Sequence, residues 1–196
     1  MTLGEVLTRV RAQLDLDPAS LEVVTMEGYR RDMLWRDTGL PWVLPSPNMP
    51  TVETATVYPG GCLLEGTNLS EGRGHTRPFE IWGAPFVDGE ALAAKLELPG
   101  AALRPLEFEP TFHKHDGQTC RGVQVHVRDE ARFEPYAAYM RLIQAVAQQA
   151  PEDFAWRTER YEFVDDIAAI DLLTGGPEFR DVVDGDGDLD GLIRED

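Results

Sequence analysis

Thr119-Cys120-Arg121-Gly122-Val123-Gln124-Val125-His126-Val127-Arg128 alternates valine with polar side chains at period two, the pattern of a strand with one face buried. Leu106 to His115 is a second extended run, parted from the first by the turn residues Asp116-Gly117-Gln118, so the pair reads as a β hairpin. Gln124 and His126 would then face away from the core, close in sequence to His113, Lys114 and His115 across the turn. Downstream, Pro135 to Gln149 changes period: Tyr136, Tyr139, Met140, Ile143, Val146 and Ala147 recur at three and four residues, which makes an amphipathic helix closed by Pro151. A strand pattern followed by a helix pattern predicts an α/β fold, a mixed sheet with flanking helices.

Working outward, Thr2 to Leu14 has helical spacing at Leu3, Val6, Leu7, Val10 and Leu14, with Thr2 and Glu5 placed as a capping box. Leu21 to Met26 reads as a short strand. Thr38 to Gly61 carries prolines 41, 45, 47, 50 and 59, which predicts an ordered loop anchored by Trp42, Val43, Leu44, Val57 and Tyr58. Cys62 to Glu65 and Phe79 to Trp82 read as short strands, with Gly66 leaving the C-terminal end of the first. Asp88 to Glu97 is helical, Trp156 to Val164 extended, and Asp166 to Leu173 a short helix stopped at Gly175-Gly176.

The chain has 196 residues, 42% of them hydrophobic, enough to bury a core, and a formal charge of -17. So acidic a surface argues against nucleic acid, which needs basic stripes, and any anionic ligand must meet a local cationic cluster. No apolar run is long enough to cross a bilayer, so membrane insertion is not expected. Cys62 and Cys120 make no disulfide framework; free buried thiols are favoured, with a single bridge left open. The four histidines, 75, 113, 115 and 126, show no metal-ligand spacing, so no metal and no cofactor is expected. Asp186, Asp188, Asp190, Gly191 and Ile193 match the first positions of an EF-hand loop, but its bidentate glutamate would fall beyond Asp196.

Chemistry concentrates between Glu65 and Glu80, in Glu-Gly-Thr-Asn-Leu-Ser-Glu-Gly-Arg-Gly-His-Thr-Arg-Pro-Phe-Glu. Three carboxylates, two guanidiniums and three hydroxyls sit on a loop bent by Gly66, Gly72 and Gly74. Glu65 and Glu71 are the candidate catalytic carboxylates. Arg73, then Arg77, is the candidate for gripping an anionic ligand group. Asn68, Ser70, Thr76 and Glu80 complete the candidate binding set. Against this stands a plain alternative, in which each arginine pairs with Glu71 or Glu80 and holds the loop.

The flanks of that loop carry a family resemblance. Gly39-Leu40-Pro41-Trp42-Val43-Leu44-Pro45-Ser46-Pro47-Asn48-Met49-Pro50-Thr51, Val57-Tyr58-Pro59-Gly60 and Gly83-Ala84-Pro85-Phe86, in that order around the glutamate-rich stretch, resemble the NamZ-type exo-β-N-acetylmuramidases, formerly a domain of unknown function. The likeness runs on through Pro110-Thr111-Phe112-His113-Lys114-His115 and Gly122-Val123-Gln124-Val125-His126-Val127 to Ala169-Ile170-Asp171-Leu172-Leu173-Thr174-Gly175. It implies a two-lobe glycoside hydrolase whose N-terminal lobe is Rossmann-like, of which residues 1–196 would form a single domain, the C-terminal lobe. The N-terminal lobe, with the family's principal Pro-Glu-His-Gly glutamate, is then expected to be absent and the C-terminal end truncated. The implied function is release of N-acetylmuramic acid from peptidoglycan fragments in wall turnover, with a muramyl saccharide as ligand; the open alternative is an inactive carbohydrate-binding or structural remnant. The resemblance implies a bacterial envelope or secreted location and leaves a cytoplasmic one open.

Overall fold

A computed structural model of the chain describes all residues except Asp186 and Asp196. They divide into two compact units, Met1–Pro41 and the residues from Trp42 onward.

In the first unit, helix α1 spans Leu3–Gln13. Its capping box is as expected: the Glu5 amide donates to Thr2 Oγ1 (3.3 Å) and the Thr2 amide to Glu5 Oε2 (2.6 Å). Short 3-10 turns follow at Pro18–Ser20 and Trp35–Thr38. The strand expected over Leu21 to Met26 does not form. Among the described residues its own unit contains no strand to pair with it, and Val24 is 88% exposed.

The second unit contains α2 (Val52–Gly61), β1 (Ile81–Ala84), α3 (Gly89–Lys95), β2 (Ala101–Phe108), β3 (Cys120–Val127), α4 (Pro135–Gln149), α5 (Ala169–Thr174), α6 (Glu178–Asp184) and α7 (Leu189–Glu195). The strands make a three-stranded antiparallel sheet in the order β1-β3-β2. The observed architecture is therefore mixed α/β with a small antiparallel sheet and surrounding helices.

Register places Trp82, Ala84, Leu103, Val123 and Val125 on one sheet face, where they join Tyr139, Leu142, Ile143 and Val146 of α4 in the main core. Ile81, Phe108 and Cys120 make a smaller apolar cluster. Gln124 lies on their side of the sheet, as its alternation requires, yet it is buried and accepts a 2.7 Å bond from Arg104 Nη2. Pro105 is tolerated because β2 is an edge strand.

Several expectations need correction. Thr38 to Gly61 is not all loop: prolines 41, 45, 47 and 50 precede the N-cap Thr51, and only Pro59 falls inside α2, in its last turn. Gly60 lets α2 approach α4, since a Cβ there would lie 2.0 Å from the Pro135 carbonyl oxygen. Cys62 to Glu65 is not a strand; the chain tightens from α2 into a 3-10 helix over Cys62–Gly66, burying Leu63 and Leu64. Periodicity cannot separate a four-residue apolar strand from such a turn. Strand β1 begins two residues later than expected because Phe79 adopts φ 66°. Strand β2, the antiparallel partner of β3, lies earlier than Leu106 to His115, and residues 109–119 leave the sheet as a long excursion with His113 and His115 left-handed.

Helix α4 matches its expected bounds, and α3 starts as expected with Asp88 Oδ1 accepting from the Ala91 amide (3.0 Å). Trp156 to Val164 is not one extended run: Trp156 bridges Thr67, and the chain then turns at Glu162, φ 51°, to bring Tyr161 opposite Val164, while α5 ends at left-handed Gly175. The EF-hand pattern includes Asp186, which lies outside the described residues. Asp188 Oδ1 accepts the Gly191 amide (3.0 Å) and Asp190 pairs with Arg141 at 2.9 Å.

Candidate functional site

The stretch from Glu65 to Glu80 runs beside the open edge of β1. The Ser70 amide donates to the Gly83 carbonyl (2.8 Å) and the Gly83 amide to the Ser70 carbonyl (3.0 Å). Left-handed Gly72 then turns the chain inward; a Cβ there would meet the Ile81 carbonyl oxygen at 2.2 Å. This turn buries Glu71, which is 1% exposed.

A chain of alternating charges forms around it. Arg73 bridges the two candidate carboxylates, Nε donating to Glu71 Oε1 and Nη2 to Glu65 Oε1, each at 2.8 Å. The Tyr161 hydroxyl donates to Glu65 Oε2 at 3.1 Å. On the far side, Lys114 Nζ donates to the carbonyls of Leu64 (2.9 Å) and Leu69 (3.1 Å) and lies 3.1 Å from Glu71 Oε2, an ion pair without an aligned hydrogen bond. His113 Nδ1 is 3.5 Å from Glu71 Oε1. Guanidinium, carboxylates and ammonium thus tie three loops together, and the Arg73 guanidinium rests 5.3 Å above the Phe79 ring.

Burial alone would raise the Glu71 carboxyl, but the Lys114 ammonium and the Arg73 hydrogen bond outweigh it and hold its pKa below the usual carboxylate value. Burial lowers Lys114 below the usual lysine value, with Glu71 opposing. Burial, then Glu65, pushes the Tyr161 phenol up. Glu71 is consequently an anion near neutrality, able to stabilise positive charge or to polarise a donor, and unable to deliver a proton as a general acid.

The other candidates are placed as follows. Arg77 belongs to a separate group: Nη1 donates to Thr51 Oγ1 (3.3 Å) and to Glu80 Oε1 (3.5 Å), and buried Glu80 also accepts 2.7 Å from Thr54 Oγ1. Asn68 is a clamp, its Nδ2 donating to the Asp153 carbonyl (2.8 Å) and its Oδ1 accepting the Ala155 amide (3.1 Å). Ser70 Oγ accepts the Gly72 amide (3.3 Å), and Thr76 is exposed. His75 packs edge-on against Phe108.

Residues 113–115 carry the part that sequence reasoning missed, since Lys114 was not among the candidate site residues. The visible signal was rarity: Lys114 is one of two lysines in the chain, the other being Lys95. An ammonium suits a point where three acceptors converge, which a planar guanidinium does not. The excursion docks on the site through Thr111 Oγ1, which donates to the Gly74 carbonyl (3.1 Å), and through His115 Nε2, 2.8 Å from the Asn68 carbonyl. His126, close to these residues in sequence, pairs with Ala102, about 20 Å along β2 from Phe108, where the excursion starts. Among the described residues no group of three His, Cys, Asp or Glu side chains is arranged to hold a metal. Cys62 and Cys120 are both free thiols. No helix among the described residues is long and apolar enough to cross a membrane.

Beside the cluster lies a cleft of about 670 Å³ between residues 67–68, residues 113–115 and residues 155–159. Its walls are built by paired backbone: the Asn68 amide donates to the Ala155 carbonyl (2.9 Å) and the Arg157 amide to the Gly66 carbonyl (2.8 Å).

Fold and site together define a small α/β domain with a buried carboxylate–ammonium–guanidinium cluster against an open cleft. A family model for the C-terminal domain of the exo-β-N-acetylmuramidase NamZ matches residues 56–195, and one for the NamZ N-terminal domain matches residues 1–53. The chain belongs to the NamZ family. It is 41% identical over 197 aligned residues to a peptidoglycan β-N-acetylmuramidase NamZ of Bacillus subtilis, covering 99% of this chain and 45% of that protein. A DUF1343 family protein of Bacteroides fragilis superimposes with TM-score 0.76 at 30% identity, over 91% of this chain and 47% of the other. A second such protein from that organism, at 23% identity and TM-score 0.56, shares the fold, over 98% of this chain and 49% of the other. The chain thus spans about half the length of the proteins it matches.

Proposed function

We propose that this chain is part of an exo-acting glycoside hydrolase that releases N-acetylmuramic acid from peptidoglycan fragments in cell-wall turnover. The observation that carries the reading is its 41% identity, along nearly its whole length, to a peptidoglycan β-N-acetylmuramidase. The site fits such a role in a specific way. Glycoside hydrolysis commonly takes two carboxyl groups, one protonating the leaving oxygen, the other acting as nucleophile or base or, for N-acetyl sugars, polarising the substrate's own amide.

Glu71, held ionised by Lys114 and Arg73, supports the second role and not the first. Glu65, at 15% side-chain exposure, is the more accessible of the two and shares the same arginine. The proton donor then comes from the Rossmann-like lobe that the family resemblance implies. In this reading Arg73 spends its charge on the two carboxylates and acts on substrate only through them, while Arg77 and Glu80 brace the loop from below.

The test is product analysis. The chain, combined with the remaining portion of its Bacillus subtilis relative, is incubated with glycan fragments that carry N-acetylmuramic acid at the non-reducing end. Mass spectrometry should find that monosaccharide released one unit at a time. Internal cleavage, or release of N-acetylglucosamine first, would sink the proposal.

A further inference from the structure

The cleft beside Glu71 gathers cationic and imidazole side chains on an acidic protein. The chain carries a formal charge of -17, yet His113, Lys114, His115 and Arg157 all line this one concavity, with Glu159 the acidic lining residue. The cations nearest the candidate carboxylates are already committed. Arg73 is held by Glu65 and Glu71, and Lys114 by Glu71 and two carbonyls. Arg157 is different. Its nearest carboxylate partner, Glu159, lies 3.9 Å away on a side chain 78% exposed, a pairing that water and salt screen heavily. The guanidinium is instead positioned by neutral groups: Nη2 donates to the Arg160 carbonyl (3.0 Å), and the Tyr161 ring lies 5.3 Å beneath it.

The opposite wall is fixed at a cost in backbone strain. His113 and His115 both adopt left-handed φ, 74° and 57°, which non-glycine residues take only where the surroundings enforce it. Lys114 is the enforcing anchor, and its burial holds the two imidazoles at the rim. Because His115 Nε2 meets a carbonyl, it is the donor, which leaves Nδ1 of the neutral ring to accept from a ligand hydroxyl or amide. Half-buried Trp156 supplies an apolar wall, and the volume lies in the range of pockets that hold one or two sugar-sized groups.

We propose that this cleft is where the carboxylate of an acidic amino sugar is read, with Arg157 meeting the carboxylate and His115 accepting from the sugar. The proposal rests on the muramidase reading and moves the anion-binding role from Arg73 to Arg157. A planar guanidinium can meet a carboxylate through two parallel bonds, so the discrimination is one of charge and shape together.

The experiment measures binding, not turnover. The 196-residue chain is titrated with N-acetylmuramic acid, with its lactyl methylamide and with N-acetylglucosamine, following tryptophan fluorescence and the histidine ring resonances. The free acid should bind roughly tenfold more tightly than either neutral sugar, a preference that shrinks as salt is raised and disappears in Arg157→Gln. Should that variant fold poorly, the salt dependence and the amide comparison on wild type still decide. Equal affinity for the three sugars, no binding of any, or a preference that survives in folded Arg157→Gln overturns the assignment. The stated preference without hydrolysis by the completed enzyme supports the cleft and counts against the proposed function. Muramidase turnover with an unchanged KM in Arg157→Gln does the reverse.

Discussion

Replacing Lys114 with methionine removes the ammonium that faces Glu71 while keeping most of the side chain's volume. Glu71 is 1% exposed and Lys114 16%, so solvent cannot substitute for the lost partner. Breaking a buried pair by deleting one member costs about 3–5 kcal/mol. Arg73 still holds one oxygen of Glu71, which places the loss near the lower end, about 3 kcal/mol. The Leu64 carbonyl keeps its Thr67 donors, whereas the Leu69 carbonyl loses its lysine bond, adding about 1 kcal/mol. A total of about 4 kcal/mol corresponds to a fall in Tm of about 8–16 °C for a chain of this size.

The decisive assay is a double-mutant cycle by urea denaturation with Glu71→Gln. If the cost is the stranded carboxylate, neutralising Glu71 as well should return about 2 kcal/mol of it. A Lys114→Met variant within about 1 kcal/mol of wild type, or two substitutions that add within about 0.5 kcal/mol, would refute the reasoning.

Three further outcomes follow from the same geometry. Glu71 has a folded pKa below its unfolded value, so its contribution to stability is complete above about pH 4.5 and is lost as pH falls through the lower folded value; Glu71→Gln should flatten the acid limb of a stability–pH curve, and an unchanged limb would contradict this. Burial and nearby Glu65 push the Cys62 thiol up to about 11, and burial does the same for Cys120. At pH 8 only about a thousandth of each is then thiolate, so a disulfide reagent should label native protein far more slowly than unfolded protein, and prompt labelling of both would be contrary. Finally, the Tyr139 hydroxyl donates 2.6 Å to the carbonyl of left-handed Phe79 inside the core. Tyr139→Phe should cost about 1–3 kcal/mol in denaturant, and a neutral result would mean that bond carries no weight.

What the sequence made legible was whatever repeats. Helix α4 keeps its period over 15 residues and strand β3 alternates from Val123 to Val127, and α1 announces itself through the capping box of Thr2 and Glu5. What failed were short apolar runs whose state depends on neighbours. Leu21 to Met26 has no strand within its own unit among the described residues to pair with, and Cys62 to Glu65 coils because α2 feeds straight into it. Proline density hid α2, although Thr51 and Thr54 supply an ordinary N-terminal cap once the earlier prolines are passed.

At the site, the glycine-bent loop and its carboxylates were visible as composition, and pairing of Arg73 with Glu71 was foreseen as one of two readings. Lys114 was not foreseen, because its partners come from residues 64, 69 and 71, more than 40 positions away, and no local pattern encodes such a convergence.

The most direct test of the proposed function is chromophore release from a chromogenic β-N-acetylmuraminide by the chain combined with the remaining portion of its Bacillus subtilis relative, beside the same assembly carrying Glu71→Gln. Muramidase action with Glu71 as the charged, non-protonating carboxylate predicts turnover by wild type, none on the matching N-acetylglucosaminide, and a fall in kcat of about a hundredfold or more in the variant. No release by wild type, equal release from both sugars, or full activity in Glu71→Gln would contradict it.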